Sequence, residues 1–449
     1  MSWKETFPGQ FERPLDSIEL FFKSIGETGA TYNREHGAVR AYAKFSHHHL
    51  SANAAEAALK HAWKALRYLQ PQIAASRQGS SIHHHVSQNA ALESWMAETF
   101  LVESVLTIDE LLASPRRSSL PTLYYLSKTS EVLFCSSNWR IDAIGATSLI
   151  NLLFKSLAEP LPMSFGDEWK NLSPGRDEAA TFPRDISQDD DDTATSLLME
   201  YTTNLPSLGL PIQLVNEISG AASRIESRLS PATTTSIVDA CRKNSITVTI
   251  AVHAAMVVAL QELSSDTSSA EKYTSWGTFN YRPFVSPSYT SPAAHPVTVM
   301  LCRLPVSFTT SNFRENALEL KSFYTQLQNP FTSASLHAML KPYTRKCTAM
   351  TNQPLPRGMP QPTEPLVESV GILDQCLDGK YGEGAVEITD FWLGEVVLTR
   401  QPSFYIWTWR GKLTFSMCYN DQFYTKRFMT SFTERVVRVL LEEMGIEHQ

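Results

Sequence analysis

Residues 136–147 read Ser136-Ser137-Asn138-Trp139-Arg140-Ile141-Asp142-Ala143-Ile144-Gly145-Ala146-Thr147, and their reading decides the fold. A β-branched and apolar run, Glu131-Val132-Leu133-Phe134-Cys135, leads into them. Behind them the chain continues Ser148-Leu149-Ile150-Asn151-Leu152-Leu153-Phe154, with residues facing one side at 144, 147–148, 150–151 and 154, a helical spacing. The pattern predicts a strand ending near Cys135, a tight loop, and a helix that starts near Asp142 and runs to residue 158. Asp is a good cap for that start, because its carboxylate accepts from the unpaired N–H groups of the first turn. A polar tip between a buried strand and a helix is a place where folds put chemistry.

Outward from this stretch, helices and strands alternate in both directions. Toward the N-terminus, residues 15–25 and 51–69 read as helices, the second Ala-rich with Leu59, Trp63 and Leu66 on one face. Residues 38–45, 81–86, 99–104 and 123–126 read as strands. Toward the C-terminus, residues 173–194 read as a loop. They hold the run Asp189-Asp190-Asp191-Asp192, which as like charges reads as solvated and as the best linker. Ser230-Pro231 then opens a helix, 248–260 is a buried helix, and 423–444 is an amphipathic one. Strands are expected at 275–281, 297–308, 370–373, 386–391, 403–409 and 412–419. The chain of 449 residues is too long for one core. The division is expected at the linker, as 1–195 and 196–449.

Bulk composition narrows the class. The chain is 43% hydrophobic and 19% charged, ordinary for a globular enzyme. A net charge of −7 with scattered Lys and Arg argues against nucleic acid and offers no polybasic membrane patch. No run of about 18 apolar residues is present, so no membrane span is expected. Met1-Ser2-Trp3-Lys4-Glu5 has no signal pattern, and the six cysteines are widely spaced. The expectation is a cytoplasmic protein with reduced thiols.

Residues 138–143 resemble the H-x-x-x-D-G motif of the chloramphenicol acetyltransferase, condensation-domain and plant acyltransferase superfamily. Asp142 is intact. Asn138 stands where the family has its general-base His, and Ala143 where it has Gly. The likeness continues through Thr247-Val248-Thr249-Ile250-Ala251-Val252-His253-Ala254-Ala255, Asn280-Tyr281-Arg282-Pro283 and Pro365–Asp374, then 386–394, 405–413 and 418–424. There it is most similar to fungal acetyltransferases of the trichothecene 15-O-acetyltransferase type. Asp390-Phe391-x-x-Gly394 is similar to a structural D-F-G-W-G motif of plant acyltransferases. The resemblance implies an α/β fold of two chloramphenicol-acetyltransferase-like lobes, mixed sheets flanked by helices, with an active-site tunnel between them. It also implies acyl-CoA as co-substrate, a small-molecule acceptor, no metal, and a monomer.

In that family His takes the proton of the acceptor while the Asp holds the loop, often through an Arg. An imidazole suits the task because it titrates near neutral pH. An amide donates and accepts hydrogen bonds but has no useful basicity, and loss of a general base costs on the order of 10²–10⁴ in rate. The resemblance places Asn138, Asp142 and His253 as catalytic candidates. Trp139, Arg140, Ala143, Asn280, Arg282, His295 and Trp407 are candidates for lining the substrate site. Asp142 is expected to shape the loop, paired with Arg140 or Arg282. His253 and His295 each have two readings, a substitute base or a hydrogen-bonded core histidine. Most of the tryptophans are expected in the core. The triplets His47-His48-His49 and His83-His84-His85 read as surface or loop residues rather than metal sites, since neighbours on a strand point to opposite faces. Three functions follow. The first is acyl transfer from CoA to a hydroxyl of a terpenoid or polyketide in fungal specialised metabolism. The second is a repurposed fold catalysing a cofactor-free cyclisation, pericyclic step or isomerisation, and the third a non-catalytic binding protein.

Overall fold

The computed structural model describes all residues except 1, 48–51, 88, 114–117, 184, 214–219, 265–271, 329–332, 355–357, 359 and 448–449. By packing, the chain forms two compact units. The first is Met1–Thr181 with Asn280–Leu301 and Leu373–Val396; the second is Phe182–Phe279, Cys302–Ile372 and Val397–Gln449. The units therefore interleave in sequence, where the reading above set a single division after residue 195.

The first unit is built on a six-stranded mixed sheet in the order Lys380–Tyr381, Val386–Glu395, Val39–His47, Glu131–Ser136, Thr122–Leu126, Phe100–Glu103. All neighbours are antiparallel except the last pair. Val39 lies opposite Glu395 on one side and Ser136 on the other, so three strand ends meet at one level of the sheet. Helices Ala52–Leu69 and Ala143–Ala158 pack together on this unit. Aromatic pairs fill its interior: Trp63 stacks on Trp95 at 5.6 Å, and Phe45 meets Phe154 edge-on at 5.2 Å. Trp392 stacks on Tyr42 at 5.2 Å. Each such ring buries a large apolar surface, the main stabilising term of a core.

A smaller antiparallel sheet joins Lys4–Phe7, Gln10–Pro14, Ser81–His85 and Ser76–Gln78. It corrects the reading of the second histidine triplet. The three residues alternate on a strand, and His84 is 1% exposed, an interior residue rather than a surface one. Burial pushes its imidazole down to about 4, since a low-dielectric site disfavours the cation. His47 closes strand Val39–His47, while His48 and His49 lie outside the described residues.

The second unit carries a four-stranded sheet, Leu366–Ile372, Ser403–Trp409, Lys412–Asn420, Ala222–Arg228, with the first pair parallel and the others antiparallel. The nearly all-apolar helix Val248–Ser264 sits in its core, against Phe313–Thr325 and Lys426–Glu443. The acidic run is not a linker. Gln188–Thr203 is a helix capped by Ser187, whose hydroxyl accepts from the Asp190 N–H at 3.1 Å. Asp189, Asp190 and Asp191 sit in its first turn, where the helix dipole favours negative charge. Asp191 also pairs with Lys346 at 2.8 Å. A like-charge run that sequence alone assigns to solvent is thus a helix start.

Glu364 in this unit is fully buried, and its Oε1 accepts from Gln401 Nε2 at 2.6 Å. Burial pushes its carboxyl up to about 8. Between the ordinary carboxyl range and pH 8 the folded chain keeps a proton that the unfolded chain has released. Stability from this group therefore falls as pH rises through that window. Glu364→Gln removes the titration. Its stability relative to the native chain is expected to rise from pH 5 to pH 8 and then level off, by on the order of 3 kcal/mol, a tenfold change in proton affinity being worth about 1.4 kcal/mol. Urea unfolding at several pH values measures it; a pH-independent difference would show that Glu364 is ionised in the fold.

Candidate functional site

The loop between strand Glu131–Ser136 and helix Ala143–Ala158 is organised by Asp142. It caps the helix, accepting from the Gly145 N–H at 2.8 Å on Oδ1. The same oxygen accepts from Arg282 Nη2 at 3.0 Å, and Oδ2 accepts from the Met300 N–H at 2.8 Å. The Asp142 N–H donates to the Thr298 carbonyl at 3.2 Å. Asp142 is 3% exposed and Arg282 4%, so the ion pair is out of water on both sides. Two further bonds close the circuit. The Tyr281 N–H donates to the Met300 carbonyl at 2.9 Å, and Asn280 Oδ1 accepts from the Arg282 N–H at 3.1 Å. Asn280 is therefore a positioning residue for Arg282. A buried carboxylate supplied with three donors holds this loop in place.

Of the two partners the sequence left open for Asp142, the structure selects Arg282. Arg140 points elsewhere. Its Nη1 donates to the Ala75 carbonyl at 2.8 Å and its Nη2 to Ser119 at 2.9 Å, with the guanidinium 4.1 Å from the centroid of the Trp139 ring. Burial lowers its ionisation to about 10. Arg140 and Trp139 line a cavity of about 580 Å³ with Ser137, Glu35, Lys23 and Arg77. Asn138 is half-buried, and a Cβ placed on Gly37 would stand 3.9 Å from its Nδ2. Ala143 is the first helical residue, half-buried, its carbonyl bonded by Thr147 Oγ1 at 2.8 Å.

His253 does not fit the role of a base. It lies in the interior of the second unit, 0% exposed, with Nδ1 at 2.9 Å from the Tyr324 hydroxyl and Nε2 at 2.8 Å from that of Tyr273. Burial drives its imidazole down to about 3, so it stays neutral. His295 is also engaged on both nitrogens. Its Nε2–H donates to the Ser288 carbonyl at 3.0 Å, which leaves Nδ1 to accept from Ser173 Oγ at 2.7 Å. Trp407, 2% exposed on strand Ser403–Trp409, packs as a core residue of the second unit. Among the described residues, no three His, Cys, Asp or Glu side chains are grouped as a metal site.

Sequence reasoning missed two parts of the site. The backbone of Thr298 and Met300 carries no side-chain signal. Gly145 does carry one, since a glycine inside a helical pattern marks a close approach. A Cβ there would stand 2.1 Å from the Pro296 carbonyl oxygen.

No family model matches the chain. It is 29% identical to the acetyltransferase pigO of Monascus ruber over 460 residues, covering 99% of each chain. Among solved structures it is similar to the TRI3 trichothecene 15-O-acetyltransferase of Fusarium sporotrichioides. The TM-score is 0.82 at 18% identity, over 98% of this chain and 97% of that one. The first condensation domain of the calcium-dependent antibiotic synthetase matches with a TM-score of 0.65 at 13% identity, over 97% of each.

Proposed function

We propose that the chain, similar in sequence to a fungal acetyltransferase and in fold to trichothecene 15-O-acetyltransferase and condensation domains, transfers an acyl group from acyl-CoA to a hydroxyl of a small specialised metabolite. The observation that carries the reading is the buried Asp142–Arg282 pair at the start of helix Ala143–Ala158. It keeps the loop of the H-x-x-x-D motif in a defined shape although the His is absent. A fold that had lost the reaction has no evident need for a buried ion pair there, which is costly to maintain. The names of the relatives support an oxygen acceptor and a natural-product setting. In the reaction the acceptor oxygen bonds the thioester carbonyl carbon, the C–S bond breaks, and the acceptor proton ends on the CoA thiol. In this reading Asn138 holds the acceptor or the carbonyl oxygen by hydrogen bonds, a role an amide can fill.

A second reading rests on the same residue. A polar, non-basic side chain at position 138 also suits a cofactor-free cyclisation or isomerisation, with the amide donating to a developing oxyanion. Two measurements separate the readings. Incubation with acetyl-CoA and a panel of hydroxylated polyketides and terpenoids is expected to release free CoA with at least one acceptor. Turnover without CoA, to a product of unchanged mass, would replace the first reading by the second. Asn138→His is expected to leave acyl transfer unchanged or raise it. In an isomerase it removes an oxyanion donor and lowers turnover by roughly 10²–10³.

A further inference from the structure

Resting on the acyl-transfer reading, we propose that the acceptor is a hydroxylated carboxylic acid, its carboxylate held against Arg140 in the cavity of about 580 Å³ that the motif loop lines within the first unit. The volume suits a small organic ligand. Ser137, Trp139 and Arg140 all contribute to its wall, so a molecule inside lies against the residues on both sides of Asn138.

Arg140 is the feature that calls for an anion. It is 4% exposed, and burial lowers its ionisation only to about 10, so it is a cation at neutral pH. A guanidinium has five N–H donors. Two bonds go to the backbone carbonyls of Ala75 and Ser119, and the Nε–H has no partner among the described residues. No described carboxylate forms an ion pair with Arg140. Other arginines buried as deeply are paired: Arg13 with Glu19 at 2.6 Å, Arg176 with Asp177 at 3.0 Å and Arg282 with Asp142 at 3.0 Å. Arg67 is also buried without an ion pair, but it does not line this cavity. The two carbonyls and the Trp139 ring, 4.1 Å from the guanidinium, orient Arg140 without cancelling its charge. An unpaired buried charge is costly, and a carboxylate entering the cavity matches the planar fork.

The carboxylates of the wall do not fill that place. Glu27 pairs with Lys23 at 2.8 Å and lies 4.0 Å from Arg77, and Glu35 accepts from Ser137 Oγ at 2.8 Å. Glu98 is exposed. A side recess of about 30 Å³ shares Glu35 and Ser137 with the cavity and adds Arg34 and Arg40. Cavity and recess are thus lined by five Arg and Lys side chains against three Glu, a positive surplus in a chain of net charge −7.

Calorimetry on the full chain without CoA tests the proposal, using hydroxybenzoic and hydroxynaphthoic acids, each beside its methyl ester. The ester keeps the shape and loses the charge. At least one acid is expected to bind about 10–100-fold tighter than its ester, the worth of a hydrogen bond to a charged group. Arg140→Gln is expected to abolish that preference, with thermal melts to confirm folding. Ala74→Phe fills the cavity while leaving the Arg140 side chain in place. It is expected to weaken acid and ester alike, and it decides the matter if Arg140→Gln does not fold. With acetyl-CoA present, the acid that binds is expected to be acetylated on its hydroxyl. Acids that bind no tighter than their esters, or a preference that survives the variants, would overturn the proposal and leave acyl transfer to neutral alcohols standing. Displacement of the bound acid by CoA would assign the site to a CoA phosphate and overturn it too. A chain that binds the acid yet releases no CoA with any acceptor would remove the acyl-transfer reading, and the acceptor role with it.

Discussion

Asp142→Ala is expected to destabilise the fold by about 3–5 kcal/mol, the cost of leaving one member of a buried ion pair without its partner. The change removes three bonds from one carboxylate: those from the Gly145 and Met300 N–H groups and that from Arg282. The lost helix cap alone is worth about 1 kcal/mol. The larger share comes from Arg282, 4% exposed and left without the carboxylate it pairs with. This makes a second, opposite expectation. Adding Arg282→Met to Asp142→Ala should recover part of the loss, because the stranded charge is removed with its partner. Urea unfolding of the native chain, the single variant and the double variant measures both effects. A single variant within about 1 kcal/mol of native, or a double variant less stable than the single, would mean that the pair does not hold the loop. Asp142→Asn should fall between, since the amide oxygen can still cap the helix while the charge is lost.

Gly145→Ala is expected to destabilise by roughly 1–3 kcal/mol or more, the range for forcing atoms into a packed site. The sign is the informative part. Within a helix, Gly to Ala ordinarily stabilises by about 0.5–1 kcal/mol. Here the new methyl would meet the Pro296 oxygen at 2.1 Å and Ile141 Cγ1 at 3.0 Å. The Pro296 backbone cannot retreat cheaply, because Thr298 and Met300, two and four residues on, are bonded to Asp142. Helix and segment are thus locked at one spacing, and the glycine is what permits it. Denaturant midpoints for the two chains decide the matter; a variant more stable than native would show that the segment can move away.

Much of the fold was legible because local chemistry repeats itself in the sequence. The cap at Asp142, the cap at Ser230 with Pro231 at the first helical position, and strand Ser403–Trp409 all stand as the residues imply. Helix Asn89–Thr99 was not legible, since its buried face is only Leu92, Trp95 and Thr99, a narrow stripe among alanines and polar residues. The acidic run misled, because repulsion between like charges is visible in sequence whereas the helix dipole and Lys346 that offset it are not. For the site, the motif loop was found and its partner was not, as Arg282 lies 140 residues away and only the fold brings it to Asp142.

The order of strands in the first unit also bears on how the protein is made. Val386–Glu395 pairs directly with Val39–His47, partners more than three hundred residues apart. Until the ribosome has released that late strand, the first unit has an open edge along residues 39–47. Its unpaired N–H and carbonyl groups can pair with any other extended chain in reach. Contacts so remote in sequence close slowly. The nascent protein must therefore keep an early, apolar strand from pairing wrongly throughout most of its synthesis, and its yield in a foreign host will depend on how well that edge is guarded in the interval.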